Sequence, residues 1–274
     1  MKIALISDRR YAHSTGITIK SLLRVGTPDF IYVINDGMEE WQRQWLGSLS
    51  DRIRIVELDA SHHAWLDVFS MHGSKHVTRS TYVKALLHLL LPDEERVLYL
   101  DGDVIVMKDP APLFNSGMGD ALIGATYNLA VMREGRRRLR LKGKYFNAGV
   151  LLCPLEKWRR ESLHELFKNW YLANYQRVLY DDQDIFNAIT DGQVHWIEKR
   201  WNVSQWEIFS MFQWISIPLS DCGIIHFNGI EKPWNPGYGR RWGLNKLYFM
   251  AATSLLKPLA AHEGRVPPPA EPSA

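Results

Sequence analysis

The sequence predicts an α/β fold, a mostly parallel central sheet with helices on both faces. Three observations predict it. Short apolar runs of strand length alternate with stretches whose apolar residues recur at helical spacing. Strands alternating with helices imply crossover connections and so parallel neighbours. Acidic residues also follow the strands directly, where open α/β sheets bind their ligands.

The elements follow in order. Lys2 to Ile6 is a short apolar strand, and Ser14 and Thr15 are placed to cap a helix whose Ile19, Leu22 and Leu23 share a face. Phe30 to Ile34 is the second strand. Trp41, Trp45 and Leu49 then repeat at helical spacing, and Ile53 and Ile55 alternate as a strand. Leu86, Leu87, Leu90 and Leu91 form a helical stripe that Pro92 ends. Val97 to Leu100 is a further strand, and Leu163, Leu166, Phe167 and Trp170 mark another helix. The ending VPPPAEPSA reads as a disordered tail, and there is no internal repeat. The expected division is one domain over 1–242, a helical extension over 243–265 and the tail over 266–274.

At 274 residues the chain is long enough for a sizeable core, and 46% apolar and 23% charged residues are ordinary for a globular protein. A net charge of +3 is too weak to argue for a nucleic-acid partner. Two cysteines, Cys153 and Cys222, give no metal-cysteine pattern and suit a cytoplasmic protein with reduced thiols. The opening apolar run is too short for a signal peptide, and no segment approaches the ~18 apolar residues of a membrane span.

The stretch VLYLDGDVIV (97–106) sets two carboxylates, Asp101 and Asp103, inside an apolar run. A buried ionised carboxylate needs a partner. In extended chain, residues i and i+2 face the same side, so the pair presents two hard oxygen ligands, with Gly102 leaving room for a close ligand. Mn²⁺ or Mg²⁺ would satisfy both charges. The plain alternative is a hairpin turn, since Asp-Gly is a common turn dipeptide.

Four further stretches read poorly as structure alone. KYFNAGVLL (144–152) ends a basic loop and enters a strand. DDQDIFN (181–187) sets three acids and a glutamine at a helix start, where Asp181 and Asp182 would serve as capping acids. HFNGIEKPW (226–234) places His226 at a strand end, and HVTRSTYVK (76–84) leads into the leucine stripe.

Taken together, LYLDGDVIV, YFNAGVLL, DQDIFN and HFNGIEKPW resemble, in order and approximate spacing, the retaining glycosyltransferases of family 8. The resemblance runs from Lys2 to about Trp242. It implies a GT-A type nucleotide-binding fold, a UDP-sugar donor, Mn²⁺, and transfer of a hexose (glucose or galactose) to a saccharide or lipid-linked acceptor with retention of configuration.

The resemblance also implies roles. Asp101, Asp103 and His226 would hold the metal, and Lys232 the diphosphate. Asp8 would contact uracil, with Tyr11 as a stacking ring. Asn147 and Asp182 would hold the donor-sugar hydroxyls, with Gln183 beside the anomeric carbon. His76 and Gly229 match positions near the acceptor and phosphates. Lys84 stands where arginine is common, and Asn228 where some members carry cysteine. Gln183 is a poor nucleophile and Asp182 the nearest acid, which favours front-face attack over a covalent glycosyl-enzyme.

Two basic regions stand apart. REGRRRLRLKGK (133–144) holds seven positive residues and one negative, and Glu231 to Arg265 holds six and two, interleaved with aromatics. They read either as a solvated loop and an aromatic-packed helix, or as a surface for anionic lipid at the inner face of the membrane, at about 1 kcal/mol per basic residue. Competing activities are a metal-dependent nucleotidyl or phosphoryl transferase, which would usually carry a glycine-rich phosphate loop absent here, and a sugar-nucleotide binding module without turnover.

Overall fold

The structure is a computed structural model that describes residues 1–71, 79–208, 217–229, 232–235, 248–250 and 252–253. In chain order it runs through β1 (Lys2–Ser7), α1 (Ala12–Val25), β2 (Phe30–Asn35), α2 (Glu40–Ser48), β3 (Ile53–Glu57), α3 (Ala60–Leu66) and α4 (Leu87–Leu90). Then come β4 (Val97–Leu100), β5 (Val104–Val106), α5 (Ala111–Phe114), β6 (Ile123–Ala125), α6 (Met132–Leu139), β7 (Val150–Cys153), α7 (Leu155–Arg160) and α8 (Leu163–Asn174). The last described elements are α9 (Asp181–Ile189), β8 (Val194–Trp196), β9 (Val203–Ser204), α10 (Gln205–Ile208) and β10 (Ile224–His226).

The expected central sheet is present, seven strands in the order β3-β2-β1-β4-β7-β6-β8. Its neighbours pair in parallel, except that β7 runs antiparallel to both β4 and β6. Both faces are covered. Along β1, Ala4 and Ile6 point into one apolar cluster and Ile3 and Leu5 into the other, as strand alternation requires. A second sheet, β5-β10-β9, was not legible in the sequence. Its strands are two or three residues long, too short for a periodic signal.

Several local expectations need correction. Helix α1 starts at Ala12, so Ser14 and Thr15 lie inside it. Asp8 makes the first turn instead: its Oδ1 accepts from the backbone N–H of Arg10 (2.8 Å) and Tyr11 (2.9 Å). In α2 the buried residues are Gln42 and Leu46, while Trp41 lies exposed. The leucine stripe is helical only over Leu87–Leu90, because Arg79–Leu86 winds as a 3-10 segment.

The basic loop is also largely a helix, α6. Arg138 draws it inward, bonding Asp184 Oδ2 through Nη1 at 2.8 Å and Asp184 Oδ1 through Nη2 at 2.9 Å, while Glu134 pairs with Arg138 one turn away. Cys153 and Cys222 are buried free thiols. Most of 243–265 and all of the tail lie outside the described residues; Tyr248, which is described, packs against Phe227 and Trp234. Among the described residues no helix is long and apolar enough to cross a membrane.

One buried titratable pair sits in this framework. His88 of α4 is fully buried, with Nε2 3.0 Å from Nδ1 of His164 on α8. Burial, then His164 and Arg159, push its pKa down to about 3. An unfolded histidine titrates near 6.5. Between those values the unfolded chain binds a proton that the folded chain refuses, so stability falls as pH drops through that window. We predict that His88 makes the protein lose ~2 kcal/mol between pH 7 and pH 5. Urea unfolding across that range should show a shallower fall for His88→Leu, and an unchanged slope would rule His88 out as the cause.

Candidate active site

The chain leaves the large sheet after Leu100 and enters the small one at Val104. Asp101, Gly102 and Asp103 span the crossing. The hairpin reading is therefore excluded, because β4 and β5 belong to different sheets. Gly102 leaves room for Thr15 of α1 rather than for a ligand, since a Cβ there would lie 2.6 Å from Thr15 Oγ1. Strand β10 pairs antiparallel with β5, His226 opposite Val104, which brings the imidazole alongside the two aspartates.

His226 Nε2 lies 3.2 Å from Asp103 Oδ1 and 3.5 Å from Asp101 Oδ2. One ligand atom from each of the three residues falls within 4.8 Å of the others. The opposite oxygens face outward to donors. Asp101 Oδ1 accepts from Tyr99 Oη at 2.7 Å and pairs with Lys84 Nζ at 3.1 Å. Asp103 Oδ2 pairs with Lys232 Nζ at 2.6 Å. Burial alone would raise the Asp103 pKa, but Lys232 and His226 outweigh it and hold the carboxyl well below its usual range. Two carboxylates and an imidazole converging in this way fit a divalent cation of the Mn²⁺ or Mg²⁺ kind.

Lys84 is almost fully buried. Its ammonium meets Asp101, Asp182 Oδ2 at 2.9 Å and the Ala148 carbonyl at 3.2 Å, which matches its three hydrogens. Burial pushes the ammonium down, yet Asp101 and then Asp182 hold it above the ordinary lysine value. Asp182 also accepts from Thr81, and burial leaves its carboxyl above the usual range despite Lys84.

Helix α9 opens at Asp181, whose φ of 45° is left-handed, a region aspartate tolerates better than most residues. Asp181 accepts from Tyr82 Oη at 3.1 Å. Neither Asp181 nor Asp182 caps the helix as expected. Asp184 Oδ2 instead accepts from the backbone N–H of Leu179 (2.6 Å) and Tyr180 (2.7 Å). That frees Asp182 and Gln183 from capping. Gln183 Oε1 accepts from Asn147 Nδ2 (3.0 Å) and Ala148 N (3.2 Å), and its Nε2 donates to Tyr145 Oη (2.8 Å).

The remaining residues are placed as follows. Asp8 lines a cavity of about 420 Å³ with Asn35, Asp36, Ser80 and Arg79, beyond the ends of β1, β2 and β3. Tyr11 meets Trp234 edge-on with ring centres 6.0 Å apart. Burial, partly opposed by Lys232, pushes the Tyr11 phenol up. Lys232 Nζ also donates to the Phe227 carbonyl at 2.8 Å. Gly229 lies in the bend after β10, and Asn228 accepts from Ser204 Oγ at 2.8 Å. His76 lies outside the described residues. Sequence reasoning gave no role to Tyr99, Tyr145 and Asn202, which touch these groups; Tyr99 and Tyr145 sit within the quoted motifs, whereas Asn202 belongs to none of them.

The chain belongs to glycosyltransferase family 8, whose family model matches residues 2–236. It is similar to the lipopolysaccharide 1,2-glucosyltransferase of Escherichia coli (strain K12), with 25% identity over 251 residues, covering 86% of this chain and 73% of that protein. It is likewise 25% identical to general stress protein A of Bacillus subtilis (strain 168), covering 92% of this chain and 94% of that one. Among solved structures it is similar to the galactosyltransferase LgtC bound to donor and acceptor sugar analogues, with a TM-score of 0.81, 25% identity, and coverage of 93% and 96%. An active-site glutamine-to-glutamate mutant of LgtC matches equally well. The fold is the GT-A fold of these glycosyltransferases.

Gly149, just before β7, packs against this centre. A Cβ there would overlap the His226 ring and lie 2.8 Å from Asp101 Oδ2. We predict that Gly149→Ala folds but weakens Mn²⁺ binding at least ~10-fold, since a displaced ligand loses its orientation. Gly47→Ala on α2, where the Cβ meets open space, should leave binding intact and stabilise the chain by ~0.5–1 kcal/mol. Isothermal titration with Mn²⁺ and a melting curve check both. Equal Mn²⁺ affinity in the two variants would place the metal elsewhere.

Proposed function

We propose that the chain is a retaining hexosyltransferase that moves glucose or galactose from a UDP-sugar to a saccharide or lipid-linked acceptor, with Mn²⁺ and secondarily Mg²⁺ as its metal. The convergence of Asp101, Asp103 and His226 beyond the strand ends carries this reading. Relatives that transfer glucose or bind donor and acceptor sugar analogues support it.

Asp101, Asp103 and His226 would hold the metal, which supplies Lewis-acid neutralisation of the diphosphate leaving group. Lys232, anchored on Asp103 and the Phe227 carbonyl, adds a positive charge for the same oxygens. The cavity beside Asp8 takes the nucleoside, with Tyr11 as a flanking ring. Asn147 and Asp182 hold the sugar hydroxyls, with Lys84 keeping Asp182 in place. Gly229 would serve the phosphates and acceptor, the role the resemblance also gives to His76.

The contacts favour front-face transfer. Gln183 is an amide bonded at both ends, and Asp182 is paired with Lys84 and Thr81. Neither is a ready nucleophile. The bond from the anomeric carbon to the phosphate oxygen breaks, the acceptor oxygen bonds the same face, and its proton passes to the departing phosphate. The enzyme contributes position and charge. An active-site glutamine in LgtC is consistent with Gln183 standing at the reacting carbon. We place the protein in the cytoplasm, at the inner face of the membrane. Arg133, Arg136, Arg137 and Arg140, exposed on and just after α6, suit contact with anionic lipid.

Incubation with Mn²⁺ and a panel of UDP-sugars should release UDP, together with free sugar or a transferred hexose. Pyrophosphate or UMP would instead indicate a nucleotidyl transferase, and no product with any acceptor a binding module. Asp103→Ala should abolish transfer and most Mn²⁺-dependent UDP binding. Wild-type turnover in that variant would move the metal site away from β4. Gln183→Ala should bind UDP nearly as well as wild type and lose ~10²-fold in kcat, because a contact made mainly in the transition state costs rate rather than ground-state binding. Unchanged kcat would remove Gln183 from the reaction, and a sugar trapped covalently on Gln183 or Asp182 would overturn front-face attack.

A further inference from the structure

His226 can offer Nε2 to a cation only if that nitrogen keeps its lone pair, so the ring proton must sit on Nδ1. The surrounding hydrogen bonds decide what faces Nδ1. Two backbone N–H groups set the direction of the network, because an N–H can only donate. Gly149 N donates to Asn147 Oδ1 at 2.9 Å, and Ala148 N donates to Gln183 Oε1 at 3.2 Å. Each therefore identifies the oxygen end of an amide. Asn147 turns Nδ2 to Gln183 Oε1 at 3.0 Å, and Gln183 Nε2 donates to Tyr145 Oη at 2.8 Å. Tyr145 passes its own proton to the Asp184 carboxylate at 2.7 Å, which Arg138 also engages.

The other end of the network is Asn202, buried between Trp201 and β9. Its Nδ2 donates to Asn147 Oδ1 at 2.8 Å. Its Oδ1 is then left facing His226 Nδ1 at 3.0 Å, and an amide oxygen only accepts. Nδ1 therefore carries a proton toward Asn202, and the ring turns Nε2 toward Asp103 Oδ1 at 3.2 Å and Asp101 Oδ2 at 3.5 Å, the oxygens that would share a cation with it.

We propose that Asn202 is a positioning residue: it sets the tautomer and ring orientation of His226 and ties the metal centre through Asn147 to Gln183. This rests on reading Asp101, Asp103 and His226 as the metal site. It assigns Asn202 two separable jobs, one for each end of its amide. The oxygen serves the metal ligand, and the nitrogen serves the donor-sugar end of the site.

The experiment uses the full chain, with Mn²⁺ affinity read from the free-ion EPR signal in the presence of UDP. Asn202→Ala removes both contacts and should weaken Mn²⁺ ~10–100-fold, the usual cost of losing a residue that orients a metal ligand. Asn202→Asp keeps an acceptor for the Nδ1 proton but loses the donor to Asn147. It should hold Mn²⁺ close to wild type yet still lose kcat. In the wild type loaded with diamagnetic Mg²⁺ and UDP, side-chain ¹⁵N spectra should show His226 protonated on Nδ1.

An Nδ1 without a proton in that spectrum overturns the proposal, even if Asn202→Ala fails to fold. So does wild-type Mn²⁺ affinity in Asn202→Ala, or an Asn202→Asp as impaired in Mn²⁺ binding as the alanine variant. Asp103→Ala separates the two levels: if it abolishes Mn²⁺ binding while Asn202→Ala does not alter it, the metal site stands and only the role of Asn202 falls.

Discussion

The structure depends on how buried carboxylates are compensated. Asp103 and Asp182 are nearly closed off from water, and Asp101 partly so. Lys84 stands between Asp101 and Asp182 with every ammonium hydrogen matched. It comes from the 3-10 segment, Asp101 from the end of β4 and Asp182 from α9, so one cation joins three parts of the chain. Removing one partner of such a buried pair typically costs ~3–5 kcal/mol, because the other charge is left unpaired. Lys232 does the same for Asp103 from 129 residues away. Each of these acids thus has a cationic partner, and Asp103 is held well below the usual carboxylate range.

Strand register does the rest of the positioning. β10 lies against β5 with His226 opposite Val104, and Phe227 N donates to Asp103 O at 3.0 Å. A slip of one residue would turn the imidazole to the opposite face of the small sheet. Asp101 is tied on its other side, where its N–H donates to Gly149 O at 2.8 Å and continues the β4–β7 pairing. The large sheet therefore places Asp101, and the small sheet places His226. The missing side chain at Gly149 lets the two approach.

A second compensated acid supports the opposite end of the site. Asp184 is fully buried, and it gathers Arg138, Tyr145 and the N–H groups of Leu179 and Tyr180. These bonds lock the turn into α9 and hence the position of Gln183. They also explain why a strongly basic segment folds as a helix: Arg138 has a buried anion to meet, while Arg133, Arg136 and Arg137 remain at the surface.

The sequence by itself determined β1 to β4 and β7 of the large sheet, its mostly parallel architecture and the motif residues that gather at its edge, but not β6 and β8. Apolar runs and helical spacing are local properties, carried by neighbours a few residues apart. The Asp101–Asp103 pair was visible for the same reason, and resemblance added His226. The tertiary structure alone decided the small sheet, the helical state of the basic segment, the start of α1 at Ala12 after the Asp8 turn and the place of Asn202 beside His226. Each depends on a partner or a pairing that sequence order does not mark: Asn202 meets His226 across 24 residues, and Arg138 meets Asp184 across 46. Which end of an amide faces a ring nitrogen is settled by the full set of donors and acceptors around it, and those are assembled only when the chain has folded.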